Sequence, residues 1–131
     1  LRVETCAHYD TDDKWAGALA SKLCAEEAQG SSSSMAPYIQ VGLPKEAPRT
    51  ICRWSSSERL ALQNPNLVDL SFENAAWRHR QFQTSRDEID ASFTSKSKFM
   101  QMLDLVCSRT LKGKDGSRML VPFIDNANHA P

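Results

Sequence analysis

Val68-Asp69-Leu70-Ser71-Phe72 alternates apolar and polar side chains, and Trp77-Arg78-His79-Arg80-Gln81-Phe82 follows after a short gap. Alternation with a period of two is the pattern of a strand half buried on one face. The stretch 68–72 therefore reads as the clearest strand in the chain. Its continuation, 75–83, is open to two readings, a further strand or the entry to a loop. As a strand it would put Arg78, Arg80 and Phe82 on one side and Trp77, His79 and Gln81 on the other.

Working outward, 1–5 and 38–43 show the same alternation, and 50–54 is a third short candidate strand. Two longer stretches follow the helical period instead. In 11–29, Trp15, Leu19 and Leu23 fall on one stripe beside Ala16, Ala20 and Cys24, behind a Thr11-Asp12-Asp13 start and before Gly30. Near the other end, Thr94 or Ser95 can cap a helix that gathers Phe99, Leu103, Val106 and Cys107 on one face, with Arg109 and Lys112 at its negative end. Between 56 and 63 there is room for two helical turns, stopped at Asn64-Pro65 because a residue before proline is pushed out of the helical region. The serine tract 31–34 reads as a weakly ordered loop. An apolar run, 119–124, follows the Asp115-Gly116 turn and has strand length, and the tail after 125 should fray.

The order strand, helix, strands, helix, strand predicts an α+β fold. Two amphipathic helices would bury their stripes on one face of an antiparallel sheet of four or five strands, a two-layer sandwich with the ferredoxin-like arrangement as nearest template. The length of 131 residues suits a single domain spanning 1–131. Sixteen basic residues balance sixteen acidic ones, so no global field draws the chain to nucleic acid or to an anionic membrane. No apolar run has the length of a bilayer span.

Cys6, Cys24, Cys52 and Cys107 are even in number and dispersed, with no C-x-x-C pair of the kind that marks zinc or redox sites. That usage, together with a first residue that fits a mature product freed of its leader, points to two disulfides and a secreted protein. Three pairings are possible. If the two long helices lie side by side, Cys24 can meet Cys107, which leaves Cys6 for Cys52.

Motifs with chemical content are few. His8, Asp10, Asp12 and Asp13 cluster without the spacing of a calcium loop or a zinc helix, and read as an acidic helix start, so no metal or other cofactor is expected. There is no nucleophile elbow and no phosphate loop, and five glycines leave little material for one. The best enzymatic reading is a small secreted ribonuclease drawing on His8, His79, His129, Glu58, Arg78 and Arg80. The more economical reading is no catalysis at all, with Trp77 to Phe82 as core aromatics and supporting arginines, or as a cationic and aromatic surface patch of the kind found in protein interfaces.

Trp77, Arg78, His79 and Phe82 stand in a run that is similar to the W-R-x-x-x-aromatic motif of the LARS family, secreted effectors of plant-pathogenic fungi first grouped in Leptosphaeria. Secreted fungal killer toxins with a ferredoxin-like sandwich are the second resemblance, through element order. The first implies a monomeric virulence protein that binds a host protein and is open to detection by a plant immune receptor as an avirulence factor. Its motif would hold strand to helix, with recognition carried by loops such as 31–37 and 44–49. The second implies an antimicrobial toxin.

Overall fold

Helix α1, Trp15–Ala28, is the first long element of the computed structural model, which describes residues 2–3, 14–46, 50–86, 95–114 and 116–122. Ala16, Leu19, Ala20, Leu23 and Cys24 are buried along one stripe. The helix stops where Gly30 adopts a φ of +56°, a left-handed conformation that costs a residue without Cβ almost nothing. A 3₁₀ turn, Gly30–Ser32, follows. Ser33 is buried, its hydroxyl donates to Glu26 and it accepts the N–H of Met35 at 2.9 Å. The serine tract is thus a built turn rather than the weakly ordered loop expected of it.

The stretch expected as a second strand is a single π turn, Tyr38–Gly42, closed by the Leu43 N–H on the Tyr38 carbonyl at 2.9 Å. The third expected strand is likewise a 3₁₀ turn, Ile51–Arg53. Helix α2, Ser56–Leu60, begins with a capping box in which Ser55 and Glu58 satisfy each other's backbone N–H groups at 3.2 and 2.7 Å.

The largest departure from expectation is α3, Pro65–Ser85, one continuous helix through both the strand expected at 68–72 and the ambiguous 75–83. Asn64 caps it, its side-chain oxygen accepting the Leu67 N–H at 3.3 Å, and Pro65 occupies the first position, where its missing N–H costs nothing. Asn64-Pro65 therefore opens a helix, whereas the one before has already ended at Leu60, short of the 63 expected. Helix α4, Lys96–Arg109, starts on a Ser95 cap and buries Phe99, Met102, Leu103, Asp104, Leu105 and Val106. Behind it come β2, Leu111–Lys112, and β3, Arg118–Met119, which pair antiparallel with each other. With β1, Arg2–Val3, on the far side of β3, they form a small sheet ordered β1-β3-β2, Arg2 opposite Met119.

The α+β sandwich is therefore replaced by a helical assembly carrying a three-stranded ladder of two-residue strands. No sheet among the described residues is large enough to form a layer. The disulfide staple is corrected as well: Cys24, Cys52 and Cys107 are all free thiols, so neither Cys24–Cys107 nor Cys6–Cys52 is formed. Cys24 is buried in the α1 stripe while Cys107 is exposed on α4, so the helices do not present them to each other. Cys6, the cluster His8 to Asp13, His129 and the tail after 125 lie outside the described residues.

Cohesion comes chiefly from α1 against α4, with Tyr38, Leu43 and Leu120 closing the core. Helix α3 lies across both, and its contact is of another kind. The residues it buries are Ser71, Gln81 and Ser85, all polar. Gln81 is 3 % exposed, and its Oε1 accepts the N–H of Gly17 at 2.9 Å. That N–H belongs to the first turn of α1, where the helix has no acceptor of its own. The bond requires the two backbones to come close. A Cβ on Gly17 would lie 2.9 Å from Gln81 Oε1, 3.2 Å from the Gln81 carbonyl oxygen, and against Ser85 Oγ.

Candidate functional site

Asp104 is the one buried carboxylate among the described residues, 5 % exposed. It sits on α4 one turn before Cys107 and is reached from two other elements. Arg78 on α3 places Nη2 2.7 Å from Oδ1 and 2.8 Å from Oδ2, and Arg53, from the Ile51–Arg53 turn, places Nε 2.8 Å from Oδ2. One carboxylate thus ties three elements together. Burial pushes the Asp104 carboxyl above its usual range, and the guanidinium groups of Arg78 and Arg53 hold it back.

Around this triad opens a cavity of about 240 Å3 lined by Thr50, Cys52, Asn74, Trp77, Arg78, Asp104, Cys107 and Ser108. Its walls are mainly apolar, and two thiols face it. Arg78 Nε and Thr50 Oγ1 are buried beside it without a hydrogen-bond partner among the described residues. Arg78 therefore binds Asp104 through a single nitrogen rather than as a two-pronged fork. Burial raises the Cys107 thiol to about 11, with the Asp104 charge as second cause. Although the residue keeps solvent contact, the cavity wall and the nearby carboxylate both disfavour its thiolate.

This has a measurable consequence. A thiol raised to about 11 keeps about a hundredfold less thiolate, while the more basic sulfur gains about tenfold in intrinsic nucleophilicity. Iodoacetamide at pH 8 should therefore label the tryptic peptide 99–109 about tenfold more slowly in the native protein than in guanidine. Equal rates in the two states would show that the cavity does not perturb this thiol.

The W-R-x-x-x-F run is helical, and its sides are those of a helix. Trp77 packs partly buried against the core, Arg78 holds Asp104, and Phe82 meets Phe99 edge to face at 5.4 Å between centroids. His79 and Arg80 face solvent, His79 within 3.3 Å of Gln83. The motif pins helix to helix, and the strand alternation read from it does not exist. Of the ribonuclease candidates among the described residues, Glu58 is engaged in its capping box and only Arg78 lines the cavity. Among the described residues no group of three or more His, Cys, Asp or Glu side chains is placed to hold a metal. No described helix is long and apolar enough to cross a membrane.

A second cavity, about 350 Å3, lies between α1, α4 and the π turn. Ala36, Leu43 and Met102 line it, and the Lys98–Glu27 ion pair, 2.6 Å, stands among its wall residues. Among the described residues, the first cavity sets two thiols beside a carboxylate, but Asp104 is taken up by Arg78 and Arg53.

Sequence reading missed a partly exposed apolar side of α3. Leu67, Leu70, Asn74 and Trp77 are spaced by three, four and three residues, so they form one stripe. Leu67 is 43 % and Leu70 50 % exposed, and the stripe runs from them into the cavity wall at Asn74 and Trp77. Leu60 on α2 and Phe72 are exposed nearby in the chain, the Phe72 ring 4.6 Å beneath the Arg59 guanidinium. The available signal was the Asn64-Pro65 helix start, which would have converted the 68–72 alternation into a helical face. No family model, curated protein or solved structure compared with the chain matches it.

Proposed function

We propose that this chain is a recognition module that binds a partner protein through the Leu67–Leu70 stripe and the cavity beside it. The observation that carries the reading is the line of exposed leucines leading into a largely apolar hollow at Trp77. Such a ridge and pocket take an apolar anchor from a partner, the arrangement in which a few buried side chains supply most of the binding energy. The carboxylate that lines the cavity, Asp104, is taken up by Arg78 and Arg53, which favours binding over catalysis.

The biological setting we propose is that of a secreted effector of a plant-pathogenic fungus, acting as a monomer on a host protein and open to detection by an immune receptor. Support for it is the resemblance of Trp77-Arg78-His79-Arg80-Gln81-Phe82 to the effector motif. The sandwich that both resemblances implied is not the fold observed, and recognition moves from the loops to the face of α3. The killer-toxin reading rested on that element order and gains no observation of its own.

Leu67→Asp with Leu70→Asp tests the reading. Both side chains are exposed, so the double variant should stay within about 0.5 kcal/mol per site of the native stability. Expressed in leaves of several plant genotypes, the unaltered chain should give genotype-restricted cell death that the double variant loses. The host protein crosslinked to it there should, once purified, bind the variant at least about tenfold more weakly. Equal binding by both proteins would remove the stripe from the interface. Growth inhibition of fungi without any leaf response would favour a toxin.

A further inference from the structure

Cys52 and Cys107 stand fifty-five positions apart in the sequence and line the same cavity. Their meeting is arranged by their neighbours. Arg53, adjacent to Cys52, is held 2.8 Å from Asp104, and Asp104 precedes Cys107 by less than one helical turn on α4. The ion pair thus pins the Ile51–Arg53 turn against the part of α4 that bears the thiol. Cys24 has no place in this arrangement, because it is 4 % exposed within the stripe that α1 turns to the core.

We propose that Cys52 and Cys107 form a redox-active dithiol that closes to a disulfide by exchange with a small external disulfide such as oxidised glutathione. This differs from the two staples expected from sequence, because the helices pack with both thiols free. It is also independent of the partner-binding reading, since it concerns the chemistry of the cavity wall and not its occupant.

In the first step the Cys52 thiol gives its proton to solvent, and the thiolate attacks one sulfur of the external disulfide. A bond forms from Cys52 Sγ to that sulfur, the external S–S bond breaks, and one glutathione thiolate leaves. Next Cys107 loses its proton and attacks Cys52 Sγ, displacing the second glutathione thiolate. The protein loses two hydrogens and the external disulfide is reduced to two thiols. Burial and the Asp104 charge keep little of Cys107 ionised, so it is a poor first attacker. As the resolving thiol it needs no encounter, because it shares a cavity with its target. A charge on Cys52 is felt at Cys107, a second sign that the two lie near each other. Closure needs Cα atoms within about 7 Å, and the Arg53–Asp104 pair holds the Ile51–Arg53 turn beside the part of α4 that bears Cys107.

The test is incubation of the full reduced chain with oxidised glutathione at pH 8.5, followed by blocking with N-ethylmaleimide and tryptic digestion without reductant. The expected result is a loss of about 2 Da, with peptide 50–53 linked to peptide 99–109. Cys52→Ser should leave Cys107 little modified, and Cys107→Ser should trap a stable glutathione adduct on Cys52. Circular dichroism of each variant separates loss of reaction from loss of fold. Stable adducts on both cysteines of the unaltered chain, or linkage of either one to Cys6 or Cys24, would overturn the proposal.

Discussion

Asp104→Ala is expected to lower the free energy of unfolding by about 3–5 kcal/mol, the loss typical of breaking a buried ion pair from one side. The reason is what remains. Arg78 has a side chain only 12 % exposed and an Nε that already lacks a partner among the described residues, so without the carboxylate it is a buried, uncompensated cation. Arg53 is about one-third exposed and can turn to water, so it adds little. Asp104→Asn keeps an oxygen that can accept from Arg78 Nη2 and should lose less. Denaturant midpoints of the three proteins at pH 7 check the order, and an alanine variant within 1 kcal/mol of the parent would show that Arg78 finds water once freed.

The same carboxyl sets a pH dependence whose sign is fixed by burial. Its folded pKa is raised above the ordinary 3.8, so the native state holds the proton where the unfolded chain has released it. Asp104 therefore contributes stability that is fully present below 3.8 and is lost as pH rises through the folded pKa. Measured against Asp104→Asn, the parent should lose ground as pH increases across that window. A gain would mean that the two arginines outweigh burial.

Gly17→Val is expected to cost about 3 kcal/mol, in a direction opposite to what helix propensity alone requires. In an exposed helix, replacing glycine by alanine gains about 1 kcal/mol. Here the new Cβ falls on Ser85 Oγ and within 2.9 Å of Gln81 Oε1. Gln81 can swing aside only by surrendering the Gly17 N–H, a buried donor whose loss costs about 1–3 kcal/mol. The remaining methyls of valine overfill the contact, at about 1–3 kcal/mol more. Gly17→Ala, combined with Ser85→Ala, isolates the clash: the second substitution should recover part of the first. Were Gly17→Ala alone to stabilise the protein, the close approach of α1 and α3 would be refuted.

What the sequence disclosed and what it concealed divide along one physical line. Helices α1 and α4 bury aliphatic and aromatic side chains, so Leu19, Leu23, Phe99, Leu103 and Val106 declare the helical period openly. The short α2 was placed by the Asn64-Pro65 stop, although its start is set by Ser55 and the glutamate three places on. In α3 the inward positions 68, 71, 75, 78, 82 and 85 also repeat every three or four residues. Serine and arginine occupy three of them, and leucines point outward, so hydrophobic periodicity reports the wrong face and mimics a strand. The triad was hidden for a related reason. Asp104 lies inside an apolar run, and its partners, Arg53 and Arg78, are fifty-one and twenty-six residues away, a relation no local pattern encodes. The short turns at Tyr38–Gly42 and Ile51–Arg53 stand where strands were expected, but among the described residues no sheet pairs with them.

The mixed underside of α3 sets this helix apart from its two companions. Pulling α1 from α4 would bare a greasy scar, whereas lifting α3 would uncover Phe99 and at the same stroke strand the Gly17 N–H and the Asp104 carboxylate. Grease alone tolerates sliding, but a seam that also carries fixed donors and acceptors admits one register, and any shift of this helix would forfeit its buried bonds even where its rings still found cover.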